Sequence, residues 1–391
     1  MKSSYKKLGD YIQEVNKRDT DKKVTKLLGV SIRKVLMPSI ANIIGTDMST
    51  YKIIKKNQFA YGPVTSRNGD KISVALLDEY DDAIVSQAYT VFEVINKNEL
   101  LPEYLMMWFR RPEFDRYARF KSHGSAREIF GWDEMCDTEL PIPSIEKQKE
   151  IVKEYHILVD RIDLNNQLIT KLEETAQAIY KQWFVDFEFP DEKGLPYKSN
   201  GGEMVWCEEL EKEIPEGWKY INLNSKINYK YGKNLPTDKL LEFGYEVYGG
   251  NGVIGYFNQY IYDIPQVMIS CRGAASGKII ISKGKSFITN NSIVFEYKDD
   301  FIFPFLKEFS IYSSFENFVT GSAQPQITIE SLNDLKILWP KSDCLKNFSF
   351  SIYKIFRLSL NIITESQKLE ELKDLLLARM TRVENETHVL N

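Results

Sequence analysis

The sequence predicts an α+β chain in which two β-rich globular domains alternate with two long antiparallel coiled-coil helices, related by an internal pseudo-two-fold repeat. The first observation is a duplication at an offset of 197 residues, which relates Gly124-Ser125-Ala126 to Gly321-Ser322-Ala323 and Lys171–Glu174 to Lys368–Glu371. The second is a heptad spacing of apolar residues at the end of each copy. Such duplication implies two copies of one supersecondary plan and approximate two-fold symmetry.

The repeat and the shifts in composition divide the chain into six segments. They are a first globular domain (1–143), a first long helix (144–184), a linker (185–217), a second globular domain (218–342), a second long helix (343–385) and a tail (386–391). The repeat extends into the globular domains, because Val85–Val94 aligns with Ile288–Tyr297. A chain of 391 residues with 43% hydrophobic content can bury two ordinary cores.

The composition disfavours several classes of protein. No apolar run approaches the ~18 residues that span a bilayer, and the first residues lack the apolar stretch of a signal peptide. We therefore expect a cytoplasmic protein without a membrane partner. Four cysteines without a C-x-x-C pair, together with three histidines, indicate neither a disulfide framework nor a zinc site, and we expect no bound metal.

The net charge of -4 hides an uneven distribution along the chain. Residues 1–71 contain 15 Lys and Arg against 6 Asp and Glu, whereas residues 144–215 contain 9 against 16. A surface that faces phosphates needs clustered positive charge rather than a basic total. Because a pseudo-dyad suits a two-fold partner, double-stranded DNA is the leading candidate, although charge runs alone are more often solvated faces.

The two long helices are predicted by a sustained seam of apolar residues spaced alternately by four and three. The first seam contains Tyr155, Leu158, Ile162, Asn165, Ile169, Leu172 and Ile179, and the second contains Ile352, Ile355, Ile362, Leu369 and Leu376. Each helix is the simplest partner for the other, and Asn165 within the seam is expected to fix the register. A helix of residues 145–183 would be ~58 Å long at 1.5 Å per residue.

The linker that follows the first helix is rich in Pro and Gly, which excludes a continuous helix and marks a connection between domains. Four aromatic residues near its start predict that the linker is docked on the protein rather than free. They are Trp183, Phe184, Phe187 and Phe189.

The chain resembles the specificity subunits of Type I restriction-modification enzymes over nearly its whole length. The resemblance rests on the order and spacing of several segments rather than on one motif. They are GSAREIFGWDEM with LPIPSIEKQKEIV (Leu140–Val152), LEETAQAIYKQWFVDFEFP (Leu172–Pro190), GLPYKSNGGEMV, EVYGGNGVIGY (Glu246–Tyr256), ISCRGAASGK (Ile269–Lys278) and ITNNS (Ile288–Ser292).

The resemblance implies two target-recognition domains, each reading one half of a bipartite DNA sequence, with two antiparallel helices that hold the spacing and dock two modification (methyltransferase) subunits. Restriction/translocase subunits are expected to join through the complex. The chain itself is expected to be non-catalytic and to bind no cofactor, while its partner subunits bring S-adenosylmethionine, ATP and Mg2+. Half-sites read on one face of the duplex would lie about one turn, ~10 bp, apart.

Candidate DNA-binding residues lie in loops that combine Gly with Arg, Lys, Asn, Gln, Ser or Tyr, since these reach base edges and phosphates. In the first domain they are Thr65, Ser66, Arg67, Asn68, Lys71, Gln87, Tyr89, Ser125 and Arg127. In the second domain they are Tyr248, Asn251, Arg272, Lys278, Asn290, Asn291, Gln324 and Gln326. Any one of them is as readily an ordinary turn residue, and the repeat-equivalent sets are the stronger candidates.

Two glycine-rich segments partly match the motifs of nucleotide-binding sites. Gly250–Gly255 matches G-x-G-x-x-G, but the following residues read as a strand rather than the helix that a dinucleotide site requires. Gly273–Lys278 resembles a phosphate loop with one residue too few and no Ser or Thr for magnesium. No methyltransferase, helicase or nuclease motif was found, so a stand-alone enzyme is disfavoured.

Two other functions stay open at this stage. One is an orphan or anti-restriction subunit that binds modification subunits without productive DNA recognition, and the other is a structural coiled-coil adaptor. The second helix begins WPKSDCLKNFSFSI and lacks the PIPSIEKQKEIV pattern of the first. Docking of a modification subunit is therefore less secure at the second helix. Ser86-Gln87 also stands where the family often has Ser-Pro.

Overall fold

A computed structural model describes residues 5–21, 23–39, 47–66, 68–69, 71–123, 128–321 and 324–382. The chain forms two compact units, one of Met1–Asn165 with Glu365–Asn391 and the other of Asn166–Thr364. Each unit contains one globular domain and part of both long helices. This division crosses the helices, whereas the sequence analysis treats each helix as one segment.

The first unit contains ten strands and three short helices within its described residues. The strands are β1 (Tyr5–Lys7), β2 (Ile12–Glu14), β3 (Leu27–Val30), β4 (Leu36–Pro38), β5 (Lys52–Lys55), β6 (Gln58–Gly62), β7 (Ser73–Leu76), β8 (Asp82–Val85), β9 (Thr90–Val94) and β10 (Glu139–Pro141). The helices are α1 (Pro102–Arg110), α2 (Pro112–Lys121) and α3 (Trp132–Cys136). A long helix, α4 (Ile145–Phe184), follows.

Two four-stranded sheets form the first globular domain, in the orders β2-β9-β6-β7 and β4-β3-β8-β5. All neighbours are antiparallel except β3 and β8, which run parallel. The core lies between the first sheet and helices α1 and α2, where Phe59 stacks on Phe92 and both contact Phe109 edge to face. Strand β1 pairs with β10, so the domain begins and ends in one two-stranded ribbon.

The second unit contains eleven strands and two short helices in the residues that are described. The strands are β11 (Met204–Cys207), β12 (Lys212–Pro215), β13 (Lys219–Asn222), β14 (Ile227–Tyr231), β15 (Tyr245–Gly249), β16 (Gly252–Phe257), β17 (Val267–Ser270), β18 (Ile279–Ile281), β19 (Phe287–Ile288), β20 (Ser292–Tyr297) and β21 (Lys336–Trp339). The helices are α5 (Ile302–Tyr312) and α6 (Ile329–Leu332), and the long helix α7 (Ser342–Arg379) follows.

The second globular domain repeats most of the topology of the first, with three strands where the sheet of β3 and β8 has four. Its sheets have the orders β14-β20-β17-β18 and β16-β15-β19, with β15 parallel to β19 as β3 is to β8. Strand β13 pairs with β21 as β1 pairs with β10. The Leu8 N–H donates to the Thr138 carbonyl at 2.8 Å, and the Leu223 N–H donates to the Leu335 carbonyl at the same distance. The duplication read from the sequence is thus a duplication of the fold.

Both long helices form, and they run antiparallel within each unit. In the first unit Arg161 of α4 pairs with Glu365 of α7, while Tyr155 shares a hydrophobic core with Leu377 and Met380. In the second unit the rings of Phe184 and Phe348 lie 4.7 Å apart, and Ala176 shares a core with Phe356. The predicted fold class is therefore confirmed.

The seam residues lie on the inner faces of these helices. Every one is buried or half-buried, as the apolar periodicity requires: Tyr155, Leu158, Ile162, Asn165, Ile169, Leu172, Ile179, Ile352, Ile355, Ile362, Leu369 and Leu376. Gln148, which the sequence analysis did not single out, is fully buried at the start of α4.

The linker docks on the second unit. Phe187 and Phe189 are buried, and their ring centroids lie 5.7 and 5.2 Å from that of Trp218. Strands β11 and β12 form a hairpin within this segment. The aromatic residues near the start of the linker explain why it is held, because each buries a large apolar area.

Candidate nucleic-acid interface

Four segments of the second unit meet at one end of its sheets. They are the β15–β16 turn, the β17–β18 loop, residues 289–291 before β20, and residues 320–321 and 324–327 before α6. The Cys271 N–H donates to the Asn291 carbonyl at 3.0 Å, and the Gly273 N–H donates to the Pro325 carbonyl at 3.0 Å. Lys278 Nζ donates to Asn251 Oδ1 at 2.6 Å. These bonds tie all four segments into one surface, here called the second loop face.

Close backbone approach shapes the second loop face. A Cβ atom at Gly250 would lie 2.8 Å from the Ser270 hydroxyl, so a larger residue there would have to displace that side chain. Gly273 and Gly277 have φ values of 73° and 92°, which other residues rarely adopt. The Gly-rich turns therefore serve to bring loops together.

Most predicted residues of the second domain are exposed on this face. Asn251, Arg272, Lys278, Asn291, Gln324 and Gln326 are exposed, and Asn290 is half-buried. In the part of the chain that the structure describes, the Arg272 guanidinium makes no hydrogen bond or ion pair. It is therefore available to a phosphate or to the O6 and N7 atoms of guanine.

Tyr248 is placed differently. It is only 5% exposed, and its hydroxyl donates to Glu246 Oε2 at 2.5 Å and accepts from the Lys283 N–H at 3.2 Å. Burial, reinforced by the Glu246 carboxylate, raises the pKa of Tyr248. Its position at the end of a strand resembled a loop position in the sequence, but the ring faces the core. It is not available for DNA contact.

The first unit has a corresponding surface, here called the first loop face. It is formed by the described residues of the β6–β7 loop (63–66, 68–69 and 71–72), the β8–β9 loop, and residues 122–123 and 128–130. The Thr65 N–H donates to the Glu128 carbonyl at 2.9 Å. The Tyr89 hydroxyl accepts from the Val30 N–H at 3.4 Å. Ser66, Lys71 and Gln87 are exposed, whereas Asn68 is half-buried with its Nδ2 donating to the Val64 carbonyl at 3.2 Å.

Two predicted residues of the first domain pack within the domain. Thr65 is buried, and its hydroxyl donates to Ser122 Oγ at 2.9 Å. The Thr65 side chain is therefore not available for DNA contact. Tyr89 is half-buried beside Gly62 and presents only part of its ring. Arg67, Ser125 and Arg127 lie outside the described residues, so their assignment stays a prediction.

The two loop faces are built by equivalent hydrogen bonds. The bond from Thr65 to Glu128 in the first unit corresponds to that from Gly273 to Pro325 in the second, and Glu128 and Pro325 are 197 positions apart. Isolated bridges repeat in the same way, since Val64 pairs with Ile129 and Arg272 with Gln326. The repeat therefore extends to the loops, although their side chains differ.

The structure does not support a nucleotide site at either glycine-rich turn. Strand β16 begins at Gly252 within the G-x-G-x-x-G match, and strand β18 follows the Gly273–Lys278 loop. Neither glycine-rich turn opens a helix, so neither places helical N–H groups around a phosphate. In the described part of the chain, no helix has the length and hydropathy to cross a membrane.

An exposed apolar groove lies on the helices of the first unit, and we call it the helix groove. It is lined by Ile157, Leu158, Leu372, Leu375 and Leu376, with Glu154 and Arg379 at its rim, and has a volume of about 340 Å³. In the second unit α7 exposes Phe350, Tyr353 and Leu358. Leu158 and Leu376 belong to the heptad seam and form the floor of the groove. The seam does not account for the exposed residues beside them, which are Ile157, Leu372, Leu375, Phe350, Tyr353 and Leu358.

Comparison with known proteins agrees with this architecture. A sequence model of the Type I restriction modification DNA specificity domain matches residues 5–174 and 215–374, so each match takes one globular domain and most of the helix after it. The Type I restriction enzyme HindI specificity subunit of Haemophilus influenzae is 24% identical over an alignment 419 positions long, which covers 89% of this chain and 90% of that protein.

Two further relatives extend the comparison. The MjaIX specificity subunit of Methanocaldococcus jannaschii is 23% identical, covering 73% of this chain and 70% of that protein. The crystal structure of the Type I restriction-modification S subunit from M. genitalium has the same fold, with a TM-score of 0.56, 16% identity and coverage of 96% of this chain and 95% of that one. With two matched copies spanning most of its length, the chain belongs to the Type I restriction-modification DNA specificity domain family.

Proposed function

We propose that this chain is the DNA sequence-specificity subunit of a Type I restriction-modification complex, with each globular domain reading one half of a bipartite target. The observation that carries the proposal is the pair of loop faces, which gather exposed polar and basic side chains through equivalent hydrogen bonds in two copies of one fold. A single chain that recognises a split sequence needs two such surfaces.

The chemistry of the second loop face suits a DNA groove. An arginine reads guanine through two parallel hydrogen bonds, and asparagine or glutamine reads adenine in the same way. Arg272, Asn291, Gln324 and Gln326 supply these groups, while Lys278 supplies a phosphate contact. The face therefore combines residues that specify bases with one that positions the backbone.

The two half-sites should differ in sequence. Arg272 stands where the first domain has Val64, and the loops that follow are Gly273–Lys278 and Thr65–Lys71. Surfaces with the same backbone plan and unlike side chains read unlike base pairs, so the target should be an asymmetric, bipartite sequence.

The helices are proposed to dock the modification subunits. The helix groove of the first unit offers leucine and isoleucine side chains between charged rims, which is the usual anatomy of a protein interface. The aromatic residues Phe350 and Tyr353 of α7 are the corresponding candidate in the second unit. The modification subunits would bring S-adenosylmethionine, and restriction subunits would bring ATP and Mg2+.

Long-read mapping of adenine methylation tests this proposal. The full chain is expressed with its modification subunit in cells that lack other DNA methyltransferases, and one motif of two unlike half-sites is expected. Exchange of residues 216–342 for those of a relative should change only one half-site. A stable complex that yields no methylation would instead indicate the orphan or anti-restriction alternative, which no present observation favours.

A further inference from the structure

The β3–β4 hairpin of the first unit ends at the first loop face, although the sequence analysis assigned it no role. Strand β3 runs parallel to β8, with Leu28 opposite Val85, so the hairpin tip and the β8–β9 loop lie at the same end of the sheet. In the second unit the β15–β16 turn holds the corresponding place, since β15 runs parallel to β19. That turn carries Asn251, which belongs to the second loop face.

The hairpin tip is a defined structure. The Ser31 N–H donates to the Val35 carbonyl at 3.0 Å, and the Lys34 N–H donates to the Ser31 carbonyl at 2.9 Å, which closes a tight turn. The Arg33 N–H donates to the Ser31 hydroxyl at 3.1 Å. Lys34 has a φ of 62°, in the left-handed region that residues other than glycine uncommonly adopt.

A buried ion pair holds the Lys34 side chain in place. Lys34 is 5% exposed, and its Nζ lies 2.6 Å from Asp115 Oδ1 and 2.5 Å from the Phe109 carbonyl. The same Asp115 oxygen accepts the Ile72 N–H at 3.1 Å. One carboxylate therefore anchors both the hairpin tip and the residue after Lys71, so the two positions are held together.

Arg33 itself is left free. Its side chain is exposed, and within the described ranges it makes no hydrogen bond or ion pair. It is flanked by exposed apolar residues, Ile32, Val35 and Met37. Burial of the neighbouring Lys34 at the cost of backbone strain would serve little purpose if the tip were only a connection, since an ordinary surface turn needs no such anchor.

We propose that the tip of the β3–β4 hairpin contacts target DNA, with Arg33 binding a base edge or a phosphate of the half-site that the first domain reads. The inference rests on the proposed function and extends it to a residue outside the predicted loops. A two-stranded ribbon fits the major groove of B-form DNA, and the apolar side chains beside Arg33 suit thymine methyl groups or the groove wall.

The test compares Arg33→Ala with Lys97→Ala in the full chain bound to its modification subunit. Lys97 is exposed after β9, at the opposite end of the sheet from the loop face, and its loss removes the same charge. Binding is measured by fluorescence anisotropy at roughly 50 to 200 mM salt. Over this range, counterion release makes the affinity for DNA depend measurably on the salt concentration. The probes are a duplex with the mapped motif and an unrelated duplex of equal length.

We expect Arg33→Ala to weaken binding to the motif duplex roughly 5- to 150-fold, the range of one specific contact. Lys97→Ala should stay within a factor of about two, the margin of a distant surface change. Arg33→Lys separates the two kinds of contact, because lysine preserves a phosphate contact better than a bidentate base contact.

An Arg33→Ala variant that binds like the wild type, with an unchanged salt slope, would overturn the inference and leave the proposed function standing. A wild-type complex that binds neither duplex would overturn both. Thermal unfolding of each variant checks that the domain is intact, and the exposed position of Arg33 gives no reason to expect a folding defect.

Discussion

Asn165 Nδ2 of helix α4 donates a hydrogen bond to Ser366 Oγ of helix α7 at 3.1 Å, in a seam that is otherwise mainly apolar. Asn165 is only 1% exposed. A buried polar pair of this kind favours one register of two helices, because any shift leaves both groups without a partner. The sequence predicted the polar residue in the seam, and the structure identifies the residue that it meets.

We expect Asn165→Ala to lower the free energy of unfolding by about 1–3 kcal/mol, since it leaves the Ser366 hydroxyl unpaired and opens space in the seam. The double variant Asn165→Leu with Ser366→Ala should recover most of that loss, because it replaces both polar groups. Urea unfolding of the wild type, Asn165→Leu, Ser366→Ala and the double variant gives the coupling between the two sites. Additive effects of the two sites would contradict the pairing.

Gln148 is predicted to stabilise the start of α4. Its Oε1 accepts the Leu101 N–H at 2.8 Å, and its Nε2 donates to the Glu99 and Pro143 carbonyls at 2.8 and 2.9 Å. Gln148→Leu should cost about 2–5 kcal/mol, because three backbone groups lose their hydrogen-bond partner in a fully buried amide. The repeat equivalent is Leu345, buried in an apolar core, so a leucine is tolerated there.

Thermal unfolding of Gln148→Leu beside Gln182→Leu, an exposed change on the same helix, measures this effect. Equal melting temperatures for the two variants would contradict the assigned role of Gln148. A selective loss in the first unit, seen by limited proteolysis, is the expected result.

Arg272→Ala should weaken DNA binding by about 1–3 kcal/mol and relax recognition in one half-site only, if the guanidinium reads a base. Lys298→Ala is the matched control, since Lys298 is exposed after β20, away from the loop face. Methylation mapping of cells expressing each variant reports both halves of the motif at once. Relaxed recognition of both half-sites would contradict the assignment. Unchanged recognition of both half-sites together with unchanged DNA affinity would also contradict it.

Leu375→Asp should prevent assembly with the modification subunit while the chain remains folded. Leu375 is 57% exposed in the helix groove, so a charge there opposes burial in an interface without disturbing the core. Lys171→Asp, on an exposed part of α4, provides a charge-changing control. Co-purification and size-exclusion chromatography measure assembly. Undiminished co-purification of Leu375→Asp would exclude this groove as the docking site.

Buried tyrosines predict loss of stability at alkaline pH. Burial raises the pKa of Tyr229 above its ordinary value of 10.0. Among the described residues its hydroxyl has no hydrogen-bond partner. The unfolded chain therefore releases this proton first, so stability is fully present below pH 10 and falls as the pH rises above it.

Tyr229→Phe should reduce the alkaline loss of stability and raise the free energy of unfolding at neutral pH by about 1 kcal/mol, because it removes an unpaired buried hydroxyl. Tyr231→Phe, two residues along the same strand and exposed, is the control. Unfolding curves at pH 7, 9 and 10.5, roughly spanning the ordinary tyrosine pKa, measure the difference. Parallel pH profiles for Tyr229→Phe and wild type would count against this account.

The fold was predictable because its signals are long and periodic. The heptad seam extends over whole helices, so exceptions such as Asn165 do not obscure it. The repeat also predicted the order of the domains, because Gly124 recurs as Gly321 and Pro143 as Pro340 near the end of each globular domain. By contrast, Gln148 was not foreseen, because a glutamine within a charged helical turn has the pattern of a solvated face.

The loop faces were only partly predictable. Exposed residues such as Arg272 and Lys278 were identified by loop composition, yet the same criterion selected Thr65 and Tyr248, whose side chains turn inward. Composition identifies a loop but not the direction of each side chain, which depends on the strands beneath it. Arg33 was missed because the hairpin shares no recognisable sequence with its counterpart in the second domain.

The pairing of β13 with β21 brings the first and last strands of the second domain side by side, with Tyr220 opposite Leu338. The same holds for β1 and β10 in the first domain. Two recombination junctions in the gene, at positions that encode these paired strands, are enough to replace a whole globular domain. New specificities can thus arise in a single genetic exchange, without the gradual rebuilding of a recognition surface.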